Sequence, residues 1–417
     1  MGFGNYVDAF GLFRELKKNQ WKDPSELEEI AGLKLGSLLK EARASVPHYS
    51  ALPRTDDLRQ LPILEKSAIR KDPLSFVPSR LRREKLFGME SSGSTGFPLR
   101  FYFDQRDYNY GTVLLYHSYT EAGLAPFDKV AFIRTTRLPR FPLSGLLFRT
   151  HYLPILGDEQ KNLARIRELR PDILFAYPSA LNILALHSIR DGKKTAIRKV
   201  ISSSEVLTPK IRKLAGETFG AEVRNYYGMN ESWAVAWECE KGGMHVNSDS
   251  VLLEIVDDKG EALPDGRSGH ILLTSLWRRS MPFIRYRTGD IGSIGGRCPC
   301  GRGLKVLKTL EGRSSDFIAL PSGRIIARVK TEDALLASPG IWQCQIVQEK
   351  DFSLTLYLVT RDREASRGFK AAMEKLVGKE VPVTIVETDL IKKGPSGKIR
   401  PIVSHIDQSK YILGVTE

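Results

Sequence analysis

Cysteine is scarce in this chain, with four residues in 417. That is too few for a disulfide framework, and it points to a reducing, cytoplasmic setting. There is no run of roughly 18 consecutive apolar residues, so no membrane-spanning helix is expected. A secretory signal is not expected either, because Asp8, Arg14 and Glu15 interrupt the first apolar stretch. Nowhere does Gly-Lys-Ser/Thr follow a glycine at the spacing of a Walker A loop, which excludes that phosphate-binding motif. Internal repeats and low-complexity tracts are absent, so solenoids and long flexible linkers are excluded as well. Acidic residues are the minority charge, 49 against 63 basic ones, for a net charge of +14. Such an excess suits polyanionic ligands. The cations are dispersed and no helix or arm is uniformly basic, so no nucleic-acid partner is expected. One stretch is denser: Arg134, Arg137, Arg140 and Arg149 surround Phe141, Leu143, Leu146, Leu147 and Phe148. A basic, apolar segment of this kind can touch a membrane or a carrier protein, or form a partly buried loop.

The chain is long enough for two or three domains. Residues 27–44 have apolar positions at helical spacing, with a possible break at Gly32 or Gly36. Short apolar runs at 130–133, 173–176 and 200–203 read as buried strands. They alternate with helical patterns at 179–189 and 209–219, the latter with Pro209 in its first turn. This alternation predicts an α/β fold with a parallel, helix-covered sheet. From Val251 the strands become closely spaced (251–256, then 270–274), which predicts an antiparallel subdomain. Strands at 342–348, 352–359 and 381–387, with a helix at 364–376, predict a small α+β C-terminal domain. The expected division is 1–312 and 313–417, and the second domain is expected to be mobile.

Two segments suggest triphosphate chemistry. Ser91-Ser92-Gly93-Ser94-Thr95-Gly96-Phe97-Pro98 is rich in small and hydroxyl residues, which lets backbone N–H groups converge on an anion. Gly394-Pro395-Ser396-Gly397-Lys398 presents one lysine on a Gly/Ser turn. Between them lie Tyr226-Tyr227-Gly228-Met229-Asn230-Glu231, Tyr286-Arg287-Thr288-Gly289-Asp290 and Glu311-Gly312-Arg313-Ser314-Ser315-Asp316. In this order the five segments resemble the core motifs of the adenylate-forming (ANL) superfamily. Val46-Pro47-His48-Tyr49, Leu61-Pro62-Ile63-Leu64-Glu65-Lys66 and Cys298-Pro299-Cys300-Gly301-Arg302 resemble phenylacetate–CoA ligases and their CapK/coenzyme F390 synthetase-like relatives. The resemblance runs from about residue 30 to about residue 405.

The resemblance implies an enzyme that uses ATP and Mg²⁺ to activate a carboxylic acid. Ser92, Gly93, Ser94, Thr95 and Gly96 would wrap the β- and γ-phosphates. Leu99 stands where the family places a lysine, with Arg100 beside it. Ser204, Glu205, Asn225, Tyr227, Gly228 and Met229 would form the adenine pocket, with Tyr227 stacking on the base and Gly228 keeping the wall thin. Glu231 would hold Mg²⁺, since carboxylate oxygens suit a hard cation. Asn230, in place of the usual Thr or Ser, would donate to a phosphate. Asp290 would accept from the ribose hydroxyls and Arg313 would reach the ribose or a phosphate. Lys398 would be the catalytic lysine at the α-phosphate and the carboxylate. Lys392 and Lys393 read as solvated charges. Tyr177–Ser179, the region of Ser203 and the apolar run Trp233–Trp237 are candidates for an acid pocket suited to an aryl or fatty acid, although the tryptophans could equally be core.

Cys239, His245, Cys298 and Cys300 offer three thiolates and an imidazole, a set that closes a structural Zn²⁺ site. A similar arrangement occurs in part of the resembled ligase group. Cys344 reads as a core residue of a strand. Transfer of the acyl group to CoA is the expectation from the resemblance. Ser315 at the usual hinge aspartate and the segment 320–326 leave an amine, hydroxyl or carrier-protein thiol open as the acceptor. An inactive nucleotide-binding scaffold of surface-polysaccharide synthesis is the third alternative. A monomer or dimer is expected.

Overall fold

The structure is a computed structural model that describes residues 4–90, 99–134, 147–313, 316–394 and 397–406. Helices α1 (Gly4–Asn19) and α2 (Pro24–Ser45) open the chain. Pro24 occupies the first turn of α2 and the Glu26 carboxylate reaches back 3.2 Å to the Asp23 N–H, so the helix start is capped. The break expected at Gly32 or Gly36 does not occur. Leu27, Ala31, Leu35, Leu38, Leu39 and Ala42 form one continuous buried stripe, and its packing outweighs the low helix propensity of the two glycines. A short helix α3 (Lys66–Lys71), a hairpin of β1 (Phe87–Glu90) and β2 (Arg100–Phe103), and α4 (Gln105–Glu121) follow.

The main sheet is built from β3 (Lys129–Ile133), β4 (Arg149–Leu153), β5 (Ile173–Ala176), β6 (Lys199–Ser203), β7 (Glu222–Met229), β8 (Trp233–Glu238) and β9 (Met244–Val246), in the order β4-β3-β5-β6-β7-β8-β9. The pairs from β4 to β7 are parallel, while β8 and β9 add antiparallel strands. The nearly unbroken burial of β3, β5 and β6 reflects helices on both faces. Helices α5 (Glu159–Leu169), α6 (Pro178–Arg190) and α7 (Pro209–Phe219) cover one face through Leu163, Ile166, Leu181, Leu184, Ala215 and Phe219. On the other face α4 packs with α1 and α2 over Phe132, Phe175 and Tyr226.

An antiparallel sheet of β10 (Val251–Val256), β11 (Gly269–Ser275), β12 (Tyr286–Ile294) and β13 (Leu307–Arg313) packs against β7–β9. Beyond it come a hairpin, β14 (Phe317–Ala319) and β15 (Ile325–Ala327), helix α8 (Arg328–Leu336), β16 (Ile341–Gln348), β17 (Leu354–Thr360), α9 (Arg363–Val377), β18 (Val383–Glu387) and β19 (Ile402–Ser404). These strands form a sheet of order β18-β17-β16-β19. Its core of Ile318, Ile346, Leu356, Phe369, Met373 and Ile402 is distinct from those of the preceding residues. Among the described residues, no helix is long and apolar enough to cross a membrane.

Polar contacts dock this last unit on the helices that cover the main sheet. Asn182 Nδ2 donates to the Trp342 carbonyl at 2.8 Å and Lys210 Nζ to that of Ile341 at 2.6 Å. Lys393 was expected to be a solvated charge. It is instead mostly buried, pairs with Glu159 and donates to the Ile155 carbonyl at 2.8 Å. Burial beside a carboxylate on α5 makes it an anchor.

Candidate active site

The C-terminal ends of β5, β6 and β7 lie along one edge of the sheet, where parallel α/β sheets offer ligands a crevice. Tyr177 follows β5, Ser204 and Glu205 follow β6, and the turn carrying Asn230 and Glu231 follows β7. Ser204 is exposed and held at φ +72°, a conformation that costs a non-glycine residue roughly 1–3 kcal/mol and is typical of functional turns. The Glu205 carboxylate accepts from the Ser179 N–H at 2.8 Å and its hydroxyl at 3.0 Å, at the positive end of α6. Burial raises the pKa of Glu205, opposed by the Ser179 bonds and by Lys398 and Arg328.

Lys398 Nζ sits 5.4 Å from the centre of the Tyr177 ring. Burial lowers its pKa, Glu205 and Asp290 favour the charged form, and Arg313 and Arg134 oppose it. The lysine turn therefore shares one electrostatic field with residues from β6, β12 and β13. Asp290 accepts from Tyr227 Oη at 2.7 Å, and Arg313 Nε lies 3.7 Å from its other oxygen, across the β12–β13 register. Glu231 Oε1 accepts from Tyr286 Oη at 2.7 Å, and its backbone carbonyl accepts from Arg278 Nη1 at 2.6 Å.

Lys66 was missed as a site residue by sequence reasoning. It follows the bridge Leu64↔Tyr286 and donates to the Thr288 carbonyl. Burial and Arg313 lower its pKa, while Glu231 and Asp290 raise it. The segment Leu61–Lys66 thus brings a lysine to β12, against Thr288 and 5.9 Å from the centre of the Tyr286 ring, in the field of both site carboxylates. The contact joins positions 222 residues apart, so spacing held no signal for it.

Other assignments change with the structure. Tyr227 is buried among Val235, Ile255, Ile271 and Leu273, and its hydroxyl is spent on Asp290, so it props that carboxylate and leaves little ring face for a base. Gly228 has a packing reason of its own. A Cβ there would overlap the Trp233 carbonyl and come within 2.7 Å of Tyr226 Cε1, so the glycine serves close packing of β7 on β8. Trp233–Trp237 form β8 and are buried throughout, which makes them core. Asn225 turns its Oδ1 to the Tyr226 N–H at 3.0 Å. Met229 pairs with Trp233 at the end of β7, and Asn230 Nδ2 reaches the Glu90 carbonyl at 3.4 Å.

Ser92, Gly93, Ser94, Thr95 and Gly96 lie outside the described residues, as does Ser315. Their neighbours are informative: Leu99 is buried, and Arg100 pairs with Glu90 at 2.7 Å. The basic stretch is described only at Arg134 and from Leu147 to Arg149, where Arg149 donates to the Phe127 carbonyl.

The ligand atoms of Cys239, His245, Cys298 and Cys300 all lie within 4.8 Å of one another. Cys239 and Cys298 sulfurs are 3.5 Å apart, and Cys300 Sγ is 3.2 Å from His245 Nε2. Tetrahedral ligands about 2.3 Å from one ion would have similar separations. Burial and the neighbouring thiols push the Cys239 thiol up to about 12, a cost that a bound cation would remove. A Cβ on Gly243 would sit 2.5 Å from Cys298 Sγ, so only glycine fits beside the cluster. Cys344 lies on β16 against the C-terminal core, its thiol also pushed up to about 12 by burial.

The family model "AMP-binding enzyme" matches residues 148–277. The phenylacetate-coenzyme A ligase of Thermus thermophilus is 28% identical over 320 residues, covering 73% of this chain and 71% of that protein. The enzyme of the same name from Pseudomonas putida is 28% identical over 341 residues, covering 72% and 74%. A solved structure of 2-hydroxyisobutyryl-CoA ligase, in the postadenylation state with 2-HIB-AMP, has a TM-score of 0.78 at 19% identity and covers 95% of this chain and 92% of its own. The same ligase in its thioesterification state, with CoA also bound, gives 0.63 at 19% identity over 94% and 92%.

Proposed function

We infer that the chain is a member of the adenylate-forming superfamily, in its phenylacetate–CoA ligase-like branch. It is an ATP-dependent, AMP-forming acid–CoA ligase. A carboxylic acid and ATP give acyl-AMP and pyrophosphate, and the acyl group then passes to the CoA thiol. The observation that carries this reading is that β12 gathers the candidate residues, with Asp290 held by Tyr227 and facing Arg313, Glu231 bonded to Tyr286 and Lys66 to Thr288, while Lys398 stands over Tyr177 after β5.

The residue roles are our proposal. Asp290, held by Tyr227, accepts from the ribose hydroxyls, with Arg313 alongside. Lys398 stabilises charge developing between the carboxylate and the α-phosphate, where positioning and electrostatics supply most of the catalysis. Lys66 supplies the cation that Leu99 does not. Glu231 would hold Mg²⁺, a hard ion that offsets triphosphate charge. Ser92–Gly96 would wrap the β- and γ-phosphates. Tyr177 and the exposed turn at Ser204 border the acid. The chain divides into units 1–312 and 313–417, with Lys398 on the second. We assign Zn²⁺ to the Cys239, His245, Cys298 and Cys300 cluster as a structural ion, and place the enzyme in the cytoplasm, where these thiols stay reduced.

The test is Mg-ATP-dependent pyrophosphate release over a panel of aryl and fatty acids, with and without CoA. Acyl-CoA formed only when CoA is present supports the reading. Acyl-AMP that accumulates and ignores CoA redirects the second half-reaction to another acceptor, and no release with any acid overturns adenylation.

A further inference from the structure

Arg278 lies between β11 and β12 and has no solvent exposure. Burying a guanidinium is costly unless its charge and its donors are answered. Here both are. Nη1 donates to the Glu231 carbonyl at 2.6 Å, and Nη2 donates to the Tyr102 carbonyl on β2 at 2.7 Å. The guanidinium carbon lies 3.9 Å from the centre of the Phe103 ring and 4.8 Å from that of Phe283. Asp107, Glu231 and Asp104 supply opposing charge, and burial moves the arginine pKa down only to about 10, so it is cationic at neutral pH. The loop that carries it is pinned in turn. Asp107 Oδ2, on α4, accepts from the Arg279 N–H at 2.8 Å, the Ser280 N–H at 2.7 Å and the Ser280 hydroxyl at 2.6 Å.

Each prong of the fork thus ends on a different site element. One holds the turn that carries Glu231, and the other holds β2, whose partner β1 ends at Glu90, the acceptor for Asn230. The Glu231 carboxylate is held separately by Tyr286, so its turn is fixed at the main chain by one residue and at the side chain by another. An apolar residue would satisfy the two phenyl rings without the cost of a buried charge, so packing does not account for an arginine here.

We propose that Arg278 is a positioning residue that locks the Glu231 turn to β2 and α4 and so presets the metal-holding carboxylate. This rests on the ligase reading above, since Glu231 is the residue it serves. Its two terminal nitrogens are spent on main-chain carbonyls, so Arg278 acts through Glu231. Lysine in its place keeps the charge but is a point donor, and cannot span both carbonyls as a planar fork does.

The test is a Mg²⁺ titration of pyrophosphate release by the full chain, at saturating ATP and acid, for wild type, R278K and R278M, with melting temperatures alongside. The expected result is a half-saturating Mg²⁺ concentration raised about tenfold in R278K and further in R278M, with an unchanged KM for the acid, as for residues that orient a metal ligand. R278K carries the decision because it retains the buried charge. A folded R278K with wild-type Mg²⁺ dependence, or one whose KM for the acid shifts in parallel, overturns the proposal. A wild type that releases no pyrophosphate overturns the ligase reading itself, a distinct outcome.

Discussion

At the scale of single residues, the role we propose for Lys398 in the adenylation step is the first to test. Lys398→Ala should reduce acyl-AMP formation by at least about a hundredfold, as removal of a preorganised electrostatic group does. Its melting curve should match wild type, and pyrophosphate release at the wild-type rate would remove the lysine from the mechanism. His117 illustrates burial without function. It lies between Phe13 and Trp237, and burial takes its pKa down to about 4. Between pH 6.5 and that value the unfolded chain binds a proton that the native chain does not. Acidification through this window therefore removes stability, by up to about 3 kcal/mol. His117→Phe should flatten the acid limb of a melting-temperature profile over that range. An unchanged slope would assign the limb to other groups.

At the level of elements, the legible parts were those with local causes. The helix at 209–219 and the strand at 251–256 appear with the expected bounds, because Pro209 at a helix start and alternating burial are written within a few residues. Lys66 and Tyr227 were not legible in this way. The role of each is set by a partner on β12, and no short window contains both members of the pair. The cysteine cluster is intermediate. Its ligand types were evident, but its closure depends on β8, β9 and the β12–β13 connection coming together. Purified protein should contain one zinc per chain. Cys298→Ser should lose it and lower the melting temperature by about 5 °C or more. Metal analysis of both proteins decides this, and zinc-free wild type would rule out the site.

For the whole molecule, the question is how the last unit is held against the main sheet. Lys393 is the contact to test, since its ion pair with Glu159 is largely buried. Lys393→Met should slow acyl-AMP formation about tenfold, as expected when removing one partner leaves a buried charge alone. Thioester formation from supplied acyl-AMP should be spared. Equal slowing of both half-reactions would instead indicate general destabilisation.

The register of β12 on β13 has a consequence for how such a molecule changes shape. Arg313 closes its strand opposite Asp290, and the next described residue, Asp316, bonds back to the Arg313 carbonyl and pairs with Arg328 at the start of α8. The place where the chain leaves one core for the next therefore lies beside Asp290, the residue we propose for the ribose. On the proposed reading, a nucleotide held at Asp290 would stiffen that junction itself, so filling the seat and repositioning the C-terminal unit would be one mechanical event, with no signal needing to cross the protein between them.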